Sequence, residues 1–112
     1  MDYVSGTIHL DKDTRDFLVY RSGSGKNSIE IYDIQVGSDR RKGRGRALVN
    51  TLLTHYTPRD VNLIYAITRS SNLIAQEFYE GLGFRVVGVL RNFYKDEFSK
   101  DCADAIMYGR DV

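Results

Sequence analysis

The hydrophobic period of this chain switches after its first third, and that switch restricts the folds open to it. Up to Val36 the apolar residues fall in short β-forming runs; beyond Arg46 they return at helical spacing. "YVSGTIHL" (Tyr3–Leu10) alternates in part, through Val4, Gly6, Ile8 and Leu10, and "RDFLVYR" (Arg15–Arg21) is rich in β-formers. "SIEIYDIQV" (Ser28–Val36) is the clearest strand, with Ile29, Ile31, Tyr32, Ile34 and Val36. By strand alternation Glu30 and Asp33 project from opposite faces of it. "SGSGKN" (Ser22–Asn27) is a turn, because its glycines tolerate positive φ. Connections this short predict an antiparallel meander.

After the switch, Leu48, Val49, Leu52, Leu53 and Tyr56 lie at i, i+1, i+4, i+5 and i+8, which is one helix face. The helix is expected from Gly43 to Tyr56, stopping ahead of Pro58. "VNLIYAIT" (Val61–Thr68) is apolar enough to be a central strand buried on both faces. "SSNLIAQEFYEGLG" reads as a short helix, capped by Ser71 or Asn72, ended by Gly81 or Gly83, with Ile74, Ala75 and Phe78 turned inward. "FRVVGVLRNFY" (Phe84–Tyr94) is a strand, "KDEFSKD" a polar turn and Cys102–Arg110 a closing strand. The order is βββ-α-β-α-ββ. It predicts an α+β fold, a mixed and largely antiparallel central sheet with helices on its faces, as a single domain over residues 1–112.

Composition removes several function classes. A chain of 112 residues can bury one core. With 42% hydrophobic and 28% charged residues it is an ordinary globular sequence rather than a disordered one. The formal net charge of +1 gives no global attraction to nucleic acid or an anionic membrane, so any anion site is local. A single cysteine, Cys102, allows no intramolecular disulfide, and with only His9 and His55 beside it no metal-ligand spacing exists. His9 and His55 are expected on the surface and Cys102 as a small packing residue. No signal-peptide pattern opens the sequence and no apolar run is long enough to span a bilayer, so the expected location is the cytoplasm.

Against that balanced background "RRKGRGR" stands out. Arg40, Arg41, Lys42, Arg44 and Arg46 surround Gly43 and Gly45 between a strand and a helix. The first amides of a helix lack internal partners, the helix dipole adds roughly half a positive charge there, and two glycines let a phosphate approach the backbone. A solvated charged face and an RNA-phosphate grip are the competing readings. The GxxxxGK[ST] spacing of a P-loop is absent, as is the third glycine of a GxGxxG fingerprint.

Two stretches together resemble the GNAT N-acetyltransferase superfamily. Arg40–Gly45 fits its [R/Q]-x-x-G-x-[G/A] signature. Asn72, Ala75, Tyr79, Gly83 and Phe84 fit its second motif, N-x-x-A-x-x-x-Y-x-x-x-GF, in the right order and one strand apart. The resemblance runs from about Tyr3 to the end, and the ending looks most like members that acetylate protein N-termini or lysines. It implies acetyl-CoA as co-substrate, with no metal. The pantetheine arm would meet main-chain groups near Gln35 and Val36, and the pyrophosphate the loop from Arg41 to Arg46, with Arg40 counted among the cofactor-binding cations. Asn72 is implied as a pantetheine contact, beside its role as a helix cap. Tyr79 is implied as the acid that protonates the departing CoA thiolate, beside its role as a core aromatic next to Phe78. Glu30 is implied as the base that frees the amine, with Asp33 its competitor.

The sequence departs from that pattern in two places. Ile67 stands where the ribosomal-protein branch has a glutamate. The chain also starts almost at the meander, which implies a fold with the family's N-terminal helices absent. Its acceptor groove would be open, completed by a second copy in a homodimer, or shaped for a large polypeptide. The expected activity is acetyl transfer from acetyl-CoA straight to a primary amine: a protein N-terminus, a lysine or a small amine. The alternatives are a non-catalytic acyl-CoA sensor and a nucleic-acid-binding protein that uses the basic loop. Nucleic acid is disfavoured, and a membrane partner is not expected.

Overall fold

A computed structural model describes residues 3–10, 15–25, 27–37, 43–94 and 103–112. The elements run β1 (Ser5–Ile8), β2 (Phe17–Ser22), β3 (Ser28–Gln35), α1 (Arg44–Thr51), a π-helical turn (Leu52–Tyr56), β4 (Leu63–Arg69), α2 (Leu73–Gly81), β5 (Arg85–Leu90) and β6 (Ala105–Asp111). The expected order βββ-α-β-α-ββ is met, and the strands form one mixed sheet in the order β1-β2-β3-β4-β6-β5. Two compact units are present, Met1–Ile64 with Val112, and Tyr65–Asp111.

In the first unit β1, β2 and β3 form the antiparallel meander. Gly6 pairs with Tyr20, and a Cβ on Gly6 would lie 2.6 Å from the Tyr20 hydroxyl, so only glycine leaves room for that ring. The ring reaches Tyr56, with centroids 5.8 Å apart, and burial followed by the charge of Tyr56 raises the Tyr20 phenol above its ordinary pKa. Leu18, Ile29, Leu48, Val49 and Leu52 are sealed from solvent. Each such aliphatic side chain is worth about 1.5–3 kcal/mol of burial.

Three sequence expectations need correction. The helix expected through Tyr56 is α-helical only to Thr51 and then widens into the π turn. The Thr57 hydroxyl donates to the Leu52 carbonyl at 2.8 Å there and takes up an acceptor the helix end leaves over. Second, β3 carries a bulge. Val19 pairs with Asp33 but Tyr20 with Ile31, so Tyr32 is an extra residue. The bulge reverses the alternation, and Glu30, opposite Arg21, and Asp33, opposite Val19, project from the same face rather than opposite ones. The third correction falls in the second unit: Ile74, expected inward on α2, is 67% exposed. The buried stripe of α2 instead centres on Tyr79, with Ala75, Phe78 and Leu82 beside it.

The second unit holds β4 from Tyr65 onward, α2 and the antiparallel pair β5–β6. Ile64, Tyr65 and Ala66 give β4 the run of buried residues that its sequence predicts. Gly83 ends α2 at φ 84°, a left-handed conformation that suits glycine. Cys102 lies outside the described residues, and both histidines are exposed as expected.

Candidate functional site

The anion-binding hypothesis rests on the start of α1. Gly43 is its N-cap, at φ 67° and ψ 24°; a glycine has no side chain of its own to cap the first turn, and that turn holds no acidic residue. A Cβ at Gly43 would touch nothing within 4 Å, so the glycine is there for its backbone conformation and not for room inside the fold. Gly45 is buried and Arg46 exposed. Arg40, Arg41 and Lys42 lie outside the described residues. At the preceding strand end, Gln35 is exposed and Val36 half-buried.

Sequence reasoning missed Asp16. It is buried, 4% exposed, directly ahead of β2. One carboxylate oxygen accepts the Gly37 backbone N–H, and the other accepts from Arg44 Nε. Arg44, one of the expected phosphate-binding cations, is thus ion-paired inside the unit. Nothing local in the sequence marks Asp16, because its partners lie 21 and 28 residues downstream.

The expected base, Glu30, is held by Arg21, whose Nε donates to Oε1 at 2.8 Å. The same guanidinium lies 4.0 Å from the centroid of the Tyr32 ring. This hydrogen bond to Glu30 raises the already high Arg21 pKa further. Asp33 is exposed on the same sheet face.

In the second unit Asn72 caps α2: its Oδ1 accepts the Ala75 N–H at 3.1 Å. That leaves the amide nitrogen as the end of Asn72 suited to a ligand carbonyl. Gln76 Nε2 donates to the Ser70 carbonyl at 2.8 Å and ties the helix to the end of β4. Tyr79 is 5% exposed. Its ring meets Phe78 edge-on at 5.1 Å, Phe84 at 5.4 Å and Tyr108 in a stack at 6.1 Å. The Tyr108 hydroxyl donates to Glu80 Oε1 at 2.9 Å. Burial, then that hydrogen bond, raises the Tyr108 phenol above its ordinary pKa. Ile67 is half-buried and offers no acid–base group. Among the described residues no cluster of histidine, cysteine, aspartate and glutamate could hold a metal ion, and no helix is long and apolar enough to cross a membrane.

Comparison with known proteins bears on these features. The sequence model of the Acetyltransferase (GNAT) family matches residues 2–84. The [Ribosomal protein bS18]-alanine N-acetyltransferase of Escherichia coli K12 is 37% identical over 65 residues, which is 57% of this chain and 44% of that protein. The match therefore spans less than half the length of that curated relative. The crystal structure of the ribosomal-protein-S18-alanine N-acetyltransferase from Escherichia coli superposes with TM-score 0.74 at 26% identity, over 98% of this chain and 69% of that one. A GNAT family acetyltransferase from Elizabethkingia anophelis, solved with acetyl-CoA bound, gives TM-score 0.78 at 19% identity, over 93% of this chain and 72% of that one; at that identity the likeness speaks to the fold.

Proposed function

Since this chain belongs to the GNAT acetyltransferase family, we propose that it transfers acetyl from acetyl-CoA directly to a primary amine, with a polypeptide α-amine as the favoured acceptor. The observation that carries the reading is the start of α1. A left-handed glycine cap with no side chain of its own and a first turn without a carboxylate leave the positive end of the helix dipole without an acidic counterpart in that turn. A diphosphate supplies that complement. The relative that acts on ribosomal protein bS18 supports the acceptor class.

In the proposed reaction the neutral amine attacks the thioester carbonyl, and the carbon–sulfur bond breaks as the amide forms. The amine loses one proton and the CoA thiolate gains one. Glu30 is the proposed acceptor of the first, directly or through water, and Tyr79 the proposed donor of the second. Gln35 and Val36 would meet the pantetheine arm through main-chain groups, as would the amide of Asn72. Arg40, Arg41, Lys42 and Arg46 would face the phosphates, with Gly43 and Gly45 giving the backbone access. The proposed domain spans residues 1–112, and its proposed location is the cytoplasm.

A second reading, an acyl-CoA sensor that transfers nothing, draws on two observations: Tyr79 is buried among aromatic rings, and Glu30 is ion-paired. Calorimetric titration with acetyl-CoA, followed by thiol release with an alanine-terminated peptide, a lysine peptide and small amines, separates them. Binding with sustained, peptide-dependent thiol release is expected. Binding without release supports the sensor, and no binding at millimolar acetyl-CoA removes both.

A further inference from the structure

Asp16 gathers three parts of the first unit that are far apart in sequence. Its own position is fixed ahead of β2, where its carbonyl lies 3.2 Å from His9 Nδ1 at the end of β1. Its carboxylate then holds the Gly37 N–H, just past β3, and the Arg44 guanidinium, in the first turn of α1. Gly37 and Arg44 lie on either side of residues 38–43 in the sequence, so one buried carboxylate is bonded to the chain before and after that segment. Gly37 is fitted to this contact: a Cβ there would sit 3.2 Å from Asp16 Oδ1 and 3.8 Å from Arg15 Cβ.

A carboxylate with 5% of its side chain exposed is costly to bury unless it is paired and hydrogen-bonded. Here the two flanks of the loop supply both a charge and a hydrogen bond. The geometry also removes an ambiguity in the sequence, where Arg44 counts as one more phosphate-binding cation. Its Nε is directed to Asp16, so part of its charge is balanced within the protein.

We infer that Asp16 is a positioning residue for the anion-binding turn: it fixes Gly37 and Arg44 so that the backbone donors at the start of α1 are preorganised for a diphosphate. The inference rests on the acetyl-CoA reading above and adds a residue to it. It makes a prediction of sign. If Asp16 merely cancelled a phosphate-binding charge, its removal would tighten acetyl-CoA binding. As a positioning group, its removal loosens it.

The test is a double-mutant cycle on the full chain, read by calorimetric titration with acetyl-CoA and by melting curves. Asp16→Asn keeps an acceptor for Gly37 but loses the charge facing Arg44; Asp16→Ala loses both. The expected order of affinity is wild type, then Asp16→Asn, then Asp16→Ala, the last roughly tenfold weaker, the scale of a lost charge-assisted hydrogen bond. Arg44→Ala added to Asp16→Ala should cost little more than Asp16→Ala alone, because the two act as a pair. Gly37→Ala, which crowds the carboxylate without touching charge, should weaken binding in the same direction and keeps the proposal testable if Asp16→Ala does not fold. With an alanine-terminated peptide as acceptor, the KM for acetyl-CoA should rise while kcat at saturating acetyl-CoA and the peptide KM hold. Unchanged or tighter binding in the Asp16 variants, additive losses, or equal changes in every constant overturn the inference while the acetyl-CoA reading stands. Failure of the wild-type chain to bind acetyl-CoA overturns both.

Discussion

The Phe84 backbone N–H donates to the Tyr79 carbonyl at 3.0 Å, and the rings of the same two residues lie 5.4 Å apart. With the Gly83 N–H donating to the Glu80 carbonyl at 3.1 Å and Gly83 at φ 84°, this is a Schellman termination with its customary apolar contact. The spacing Tyr-x-x-x-Gly-Phe is therefore what the end of α2 requires, quite apart from any chemistry at the phenol. The helix cap at Asn72 fixes the other end through its bond to Ala75. The second motif thus marks both boundaries of α2, a start at Asn72 and a stop at Gly83–Phe84, and Asn72 and Tyr79 are proposed site residues as well.

Gly83 and Gly81 should respond oppositely to alanine. A Cβ added at either position would meet nothing within 4 Å, so sterics do not separate them. Backbone conformation does. Gly83→Ala forces a side chain into the left-handed region and should cost about 1–2 kcal/mol. Gly81 is the last residue of α2, still helical, where alanine should be neutral or stabilise by up to about 1 kcal/mol. Urea unfolding of the two variants checks this. Equal destabilisation would contradict the Schellman assignment.

Tyr79→Phe keeps the ring that Phe78, Phe84 and Tyr108 pack against and removes only the hydroxyl. Its melting curve should stay close to that of the parent, and its acetyl-CoA affinity should hold. The rate of CoA release should fall about 100-fold, the low end for loss of a proton donor. A variant that keeps full activity would make Tyr79 a core residue alone and pass the acid role to water or another group.

The element order was legible because the switch from β-rich runs to helical spacing survives in the sequence without any tertiary information. The phase of α2 was not. Ile74, Ala75 and Phe78 suggest an inward face by hydrophobicity, but the face that packs is the one carrying Tyr79, against Phe84 and Tyr108, and Ile74 is left in solvent. The bulge at Tyr32 was also hidden, since no glycine or proline announces it and only the pairing with β2 reveals the extra residue. Asp16 was hidden for a different reason. A lone aspartate ahead of a strand looks like any turn residue until its distant partners are folded against it.

Because the bulge turns Glu30 and Asp33 to one face, the two carboxylates compete for the role of base on equal geometric terms. Glu30 is the less exposed, at 12% of its side chain, and is oriented by Arg21. Orientation is what a base needs, so Glu30→Gln should lower kcat at neutral pH by about 100-fold while Asp33→Asn changes it little. Arg21→Ala should leave stability nearly unchanged, because the arginine is 45% exposed and the pair is screened. Its effect should appear as a lower kcat for thiol release, since the carboxylate loses the partner that orients it. The opposite ranking of the two carboxylate variants would move the base to Asp33.

The Tyr108–Glu80 pair predicts an alkaline weakness. The folded chain holds the Tyr108 proton more tightly than the unfolded chain does, through burial and the bond to Glu80. Stability from this phenol is therefore intact below its unfolded value of about 10 and is lost as pH climbs through the raised folded value. At neutral pH the parent should be more stable than Tyr108→Phe by roughly 0.5–1.5 kcal/mol, the net worth of the hydrogen bond. Above about pH 10 that gap should narrow and close, since only the parent must then keep a buried phenol protonated. Tyr20 is raised in the same direction, so the comparison is best made in a Tyr20→Phe background. Urea midpoints taken at intervals from about pH 7 to about pH 11 read the gap directly, and the window is set by the ordinary tyrosine value. A difference that stays constant across the series would mean that the Tyr108 phenol titrates alike in the folded and unfolded chain.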